Sequence, residues 1–126
     1  MNIERLTEVR AIMAIAPAGL INMADYGNPA CGTPGCIAGW TCTLAGVDLD
    51  LGMHAASLNA REFLGLNRKT ARHLFLDFLD VDSLDDLRIT QAETLAAIDS
   101  LIAGAVLPTW PARVENAIKA DAELWG

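Results

Sequence analysis

Basic side chains are scarce in this chain. Nine lysines and arginines stand against sixteen aspartates and glutamates over 126 residues, a formal net charge of −7. Unassisted binding to nucleic acid or to an anionic membrane needs a basic surface. The charge balance therefore argues against both, and it suits solubility, a basic protein partner or a surface that imitates nucleic acid. The signals of a sheet are also missing: no run alternates apolar and polar residues, and no hairpin dipeptide joins two β-rich runs. Long apolar runs are absent as well, since AIMAIAPAGLINMA (residues 11–24) is broken by Pro17 and is too short to span a bilayer. Glu4, Arg5, Glu8 and Arg10 ahead of it cancel in charge, unlike the basic start of a secretory signal. Cysteines number only three. With no secretory signal, a cytoplasmic setting with reduced thiols is expected.

What is present is a chain rich in Ala and Leu, 52% apolar and 20% charged. That composition belongs to a globular helical domain. Apolar residues recur at helical spacing in Ile3, Leu6, Val9, Ile12 and Met13, and Pro17 closes the pattern. Met53, Ala56, Ala60, Phe63 and Leu64 form a second apolar face ending at Gly65, and Ala71, Leu74, Phe75, Phe78 and Leu79 a third behind the capping Asn67. Ser83 and Asp86 fit a capping box, as do Thr90 and Glu93. The latter opens a helix with Leu95, Ile98 and Ile102 inward, and Pro111 starts a last one. The expected fold is all-α: a single domain, residues 1–126, of about six short helices.

Their centre is expected at residues 34–45. Between Tyr26 and Val47 no residue is charged, and the stripes Ile37/Trp40/Thr41/Leu44 and Ala38/Cys42/Ala45 leave a helix apolar on every side. Thr33 fits an N-cap, Pro34 a first helical residue and Gly46 a C-cap.

The stretch ACGTPGCIAGW, residues 30–40, also carries the densest chemistry. Cys31 and Cys36 lie either side of a turn that can bring their sulfurs within bonding range. A Cys36 in the first helical turn would have its thiolate stabilised by the helix dipole. That is the arrangement of a redox dithiol, and Cys31 and Cys36 are its candidates. The bland alternative is two small apolar side chains shaping the entry of a buried helix. Cys36 and Cys42 are six residues apart, which turns them about 120° from each other on a helix and keeps them from one tetrahedral ion. His54 and His73 offer no paired metal-ligand spacing, so no metal site and no cofactor are expected. Asp77, Asp80, Asp82, Asp85 and Asp86 crowd one segment as a possible acidic interaction surface. They do not form a calcium loop, because Leu84 and Asp85 occupy positions that need an oxygen ligand and glycine. No phosphate-binding loop, dinucleotide fingerprint, nucleophile elbow or His-Glu-x-x-His motif occurs, which points away from an enzyme.

The order of features resembles a group of small uncharacterised proteins of bacteria and their phages. It lies in Asn22, Met23 and Tyr26, then Cys31-Gly32-Thr33-x-x-Cys36 with Gly39-Trp40, then Leu64-Gly65-Leu66, then Ala71, Leu74 and Phe75 ahead of a Thr-capped helix. The resemblance covers most of the chain and implies the helical fold and a bacterial or phage origin. It implies no catalytic residue. Gly32, Thr33, Pro34, Gly39 and Trp40 are its structural motif.

The expected function is thus that of a small, acidic, cytoplasmic accessory protein acting through contact with another protein, for which a basic one is a candidate. The alternatives are a thiol–disulfide or redox-sensing protein using Cys31 and Cys36, and an acidic inhibitor that mimics nucleic acid. The sequence allows a homodimer.

Overall fold

A computed structural model describes residues 1–17, 21, 36–47, 53–79 and 81–125, with only the backbone of Met53, His54, Val81 and residues 123–125. Its elements are all helices: α1 (Ile3–Ile15), α2 (Ile37–Ala45), α3 (Met53–Leu64), α4 (Arg68–Phe75), α5 (Val81–Leu87), α6 (Gln91–Ile102) and α7 (Ala112–Trp125). The all-α expectation holds. None of these helices is long and apolar enough to cross a membrane.

The uncharged helix is the hub. α2 packs on α3 most extensively and also on α1 and α4, while α1 in turn packs on α6. Ile37, Ala38, Gly39, Trp40, Thr41 and Cys42 are all buried. Burial leaves polar groups without water, and α2 satisfies them locally: Thr41 Oγ1 donates to Ile37 O at 2.8 Å, and Cys42 Sγ points to Ala56 O on α3 at 3.2 Å. The last turn differs, because Thr43 is exposed, so the helix is not enclosed on every side. Its start differs too. Cys36 is the N-cap, in extended conformation (ψ 175°), and the first helical hydrogen bond runs from Trp40 N to Cys36 O. An extended residue cannot propagate the helix, so the helix begins at Ile37 and not at residue 34. Thr33 and Pro34, expected as its cap and first residue, lie outside the described residues, as do Cys31 and Gly32. Gly46 ends the helix in the left-handed region at φ 75°, the conformation glycine adopts without a Cβ penalty.

Around this hub the helices are tied at their ends. Asn2 caps α1, Asn67 caps α4, and Thr90 with Glu93 forms the capping box of α6. Gln91 on α6 reaches back to the orphan carbonyls at the end of α1, donating to Met13 O and Ala16 O at 2.7 and 2.8 Å. Arg10 binds both oxygens of Asp99 across the α1–α6 packing. The inward face of α6 is Thr94, Ala97, Ile98 and Leu101. Of the expected inward set only Ile98 is fully enclosed, while Leu95 and Ile102 flank the core half-buried. The Ser83–Asp86 capping box does not form. α5 begins at Val81, which places a turn of helix ahead of Leu84, its buried anchor, and leaves Ser83 inside the helix.

α4 stops earlier than its apolar pattern implies. Leu76 takes φ 57° and its N–H closes the helix on Arg72 O. A left-handed leucine is unfavourable by about 1–2 kcal/mol, and its complete burial offsets that strain. Asp77, Phe78 and Leu79 therefore leave the helix, although they were expected to continue it.

The α6 capping box also holds a long-range ion pair. Arg113 on α7 grips both carboxylate oxygens of Glu93 and donates to Leu87 O and Arg88 O at the end of α5. The Arg113 hydrogen bonds hold the Glu93 carboxyl down at about 2. A depressed carboxylate contributes stability above its unfolded value near 4.5 and loses it as pH falls toward 2. Glu93→Gln is expected to be less stable than the wild type at pH 6, the gap closing between pH 5 and 2 in chemical denaturation. Thr90→Ala should cost about 1 kcal/mol by the same measurement at neutral pH.

Candidate functional site

Cys36 and Cys42 are both buried thiols. Cys42 is fully enclosed, and loss of solvent pushes its thiol pKa up. Cys36 is 4% exposed at the head of α2. Cys31, its proposed redox partner, and the side chain of His54 lie outside the described residues. Among the described residues no group of three His, Cys, Asp or Glu side chains comes together to hold a metal ion.

His73 has a structural setting. Its Nε2 lies 3.1 Å from Glu115 Oε1 on α7, and its backbone carbonyl accepts the indole N–H of Trp110 at 2.8 Å. Trp110, 4% exposed, thereby fastens the segment before α7 to α4.

The acidic run is divided. Asp82, Asp85 and Asp86 are exposed on α5, at the i, i+3, i+4 spacing that shares one helix face. No described residue forms an ion pair with them, whereas Asp99, Asp121 and Glu93 are each held by an arginine. Asp77 belongs elsewhere, in the turn after α4, and Asp80 lies outside the described residues.

The break in α4 at Leu76 lies beside a concavity. A cleft of about 400 Å³ lies along α3, α4 and the turn beyond, with Asp77 among its lining residues. Arg61 of α3 and Arg68 and Arg72 of α4 line it. Its apolar surface comes from Leu58, Ala71, Phe75 and Phe78. The Arg72 guanidinium lies 4.3 Å from the centre of the Phe78 ring and donates to Asp121 at 3.3 Å, which fixes its position. An adjoining cleft of about 360 Å³ shares Arg72 and Phe78 and adds Lys69 and His73.

Sequence reasoning missed this site. A readable signal was the segment 61–72, in which Arg61, Arg68, Lys69 and Arg72 carry four of the nine basic side chains against the single carboxylate of Glu62.

Burial of the thiols makes a kinetic prediction. Alkylation mapped by mass spectrometry should modify Cys36 and Cys42 of the native protein at least about tenfold more slowly than in the urea-unfolded chain. Rapid native labelling of Cys36 would instead support redox chemistry at the head of α2. Comparison with protein families, with curated proteins and with solved structures finds no match to this chain.

Proposed function

We propose that this is a small cytoplasmic accessory protein of bacterial or phage type, without enzymatic activity, that works by binding a basic surface on a protein partner. The observation that carries the reading is the aspartate face of α5. Asp82 repels Asp85 and Asp86 at helical spacing, and like charges so placed destabilise a helix by a few tenths of a kcal/mol each. Asp85 and Asp86 also sit in the last turn before Leu87, where the helix dipole disfavours negative charge. Asp82, in the first turn, is favoured by the dipole, whereas Asp85 and Asp86 are not; all three remain exposed without an ion pair among the described residues. A cationic partner would turn each of those local costs into attraction.

The neighbouring architecture supports the same reading. Arg113 holds the last carbonyls of α5, and Leu84 anchors its inner side. The acidic face is thus presented on a fixed element, which lowers the ordering cost of association. Binding of this kind depends on salt and on charge more than on shape.

The test is a capture from lysate with the wild type and the triple variant Asp82→Asn/Asp85→Asn/Asp86→Asn, followed by titration with the captured partner. The triple variant should melt at the same temperature or slightly higher and bind the partner at least about tenfold more weakly, with a smaller salt dependence. Equal affinity and equal salt dependence would remove the acidic face from the function.

A further inference from the structure

We infer that the arginine-lined cleft between α3 and α4 is a binding site for a phosphate monoester carried on an aromatic body. This inference is independent of the acidic face on α5 and concerns a different surface.

Charge is the first argument. The molecule as a whole is at −7, yet three guanidiniums and a single carboxylate, Asp77, line this one cleft. Arg68 and Arg72 are one helical turn apart on α4 and so share a face. Arg68 is exposed and pairs with no acidic group among the described residues. Arg61 uses its Nε to hold Leu66 O at 3.2 Å, which fixes its stem and leaves its two terminal nitrogens for a ligand. Arg72 is held by Asp121 and by the Phe78 ring. Two of the three cations are thus positioned before any ligand arrives.

Ser57 is the second argument, and it is independent of charge. This α3 side chain is 8% exposed and lines the same cleft. Its hydroxyl oxygen is buried with no hydrogen-bond partner among the described residues. The other buried helical hydroxyls are satisfied: Thr41 by Ile37 O, Thr70 by Val106 O and Thr94 by Thr90 O. A buried hydroxyl left unpaired is a cost that folding alone does not explain. Rotation of the side chain about its Cα–Cβ bond would carry the hydroxyl toward the cleft, where an acceptor oxygen would satisfy it.

The chemistry of the lining then selects the ligand. Guanidiniums match the oxygen geometry of phosphate and bind it by two parallel hydrogen bonds. A monoester is close to doubly charged at neutral pH, which suits a cleft where guanidiniums outnumber carboxylates better than a singly charged carboxylate does. The remaining surface is the rings of Phe75 and Phe78 with Leu58 and Ala71, which accept a flat apolar group. A volume of about 400 Å³ falls within the ordinary range for a small-molecule site, ~300–1,000 Å³. The shared chemistry fits both a free aromatic phosphate and a phosphorylated tyrosine side chain.

Calorimetric titration of the full chain with phenyl phosphate, inorganic phosphate and phenol tests the inference. Phenyl phosphate should bind saturably, inorganic phosphate at least about tenfold more weakly, and phenol not measurably. Arg68→Gln, an exposed substitution that leaves the fold intact, should weaken phenyl phosphate by about tenfold. Ser57→Ala should raise the melting temperature of the ligand-free protein while weakening the ligand, a pairing that a purely structural serine would not give. Adenosine monophosphate and a phosphotyrosyl pentapeptide, compared in the same titration, distinguish the two sources by which binds more tightly. No saturable binding of phenyl phosphate, binding unchanged by Arg68→Gln, or equal affinity for inorganic phosphate would overturn the inference.

Discussion

The burial of α2 is the constraint on which the rest of this structure depends. A helix with no charged residue, and with its first six residues enclosed, has no stable place except between other helices. α1, α3 and α4 supply that enclosure. Each brings one apolar face, and each must then turn its polar side outward. The positions of the charged residues follow from this requirement: Arg61 on α3 and Arg68 and Arg72 on α4 lie on the sides left over once Ala60, Leu64, Ala71 and Leu74 face inward.

The same constraint accounts for the break beside the cleft. A continuous helix from Arg68 to Leu79 would carry Phe78 onward with the helix. Stopping at Phe75, with Leu76 turned left-handed and fully buried, folds the following turn back. Phe78 then comes under Arg72, and Asp77 reaches the cleft. Strained residues of this kind are concentrated at binding sites, where surrounding contacts hold them in place. The two candidate surfaces thus stand on opposite electrostatic footings: an arginine cleft beside a left-handed leucine, and an aspartate face whose Asp85 and Asp86 sit at the unfavourable end of their helix.

Much of the fold was legible because its signals are local. Asn67 and the Thr90–Glu93 pair sit at fixed spacing from the helices they cap, and Gly46 and Gly65 mark ends where φ is positive. The start of α2 was misplaced because Thr33-Pro34 is an equally good local start signal, and the extended backbone of Cys36 has no sequence signature. The end of α4 was hidden for a related reason: leucine does not advertise a left-handed turn, and only tertiary burial makes it affordable. Of the candidate site residues, charge crowding pointed to Asp82, Asp85 and Asp86, which share α5, but not to the separation of Asp77 from them. The arginine cleft was not readable, because Ser57 and Arg61 of α3, Arg68 of α4 and Phe78 of the turn beyond are brought together only by packing. The ties from Gln91 to α1 and from Arg113 to α5 span 78 and 26 residues respectively, and no local pattern announces them.

If α2 is the element around which the others assemble, its backbone can open only when the whole domain unfolds. Native-state amide hydrogen exchange as a function of denaturant measures this directly. The amides of Trp40 to Leu44 should exchange at the rate set by global unfolding, with the full denaturant dependence of that transition, and no slower set should exist in α6 or α7. Exchange of those α2 amides through a smaller, denaturant-insensitive opening, while α6 stays protected, would contradict the central place given to this helix.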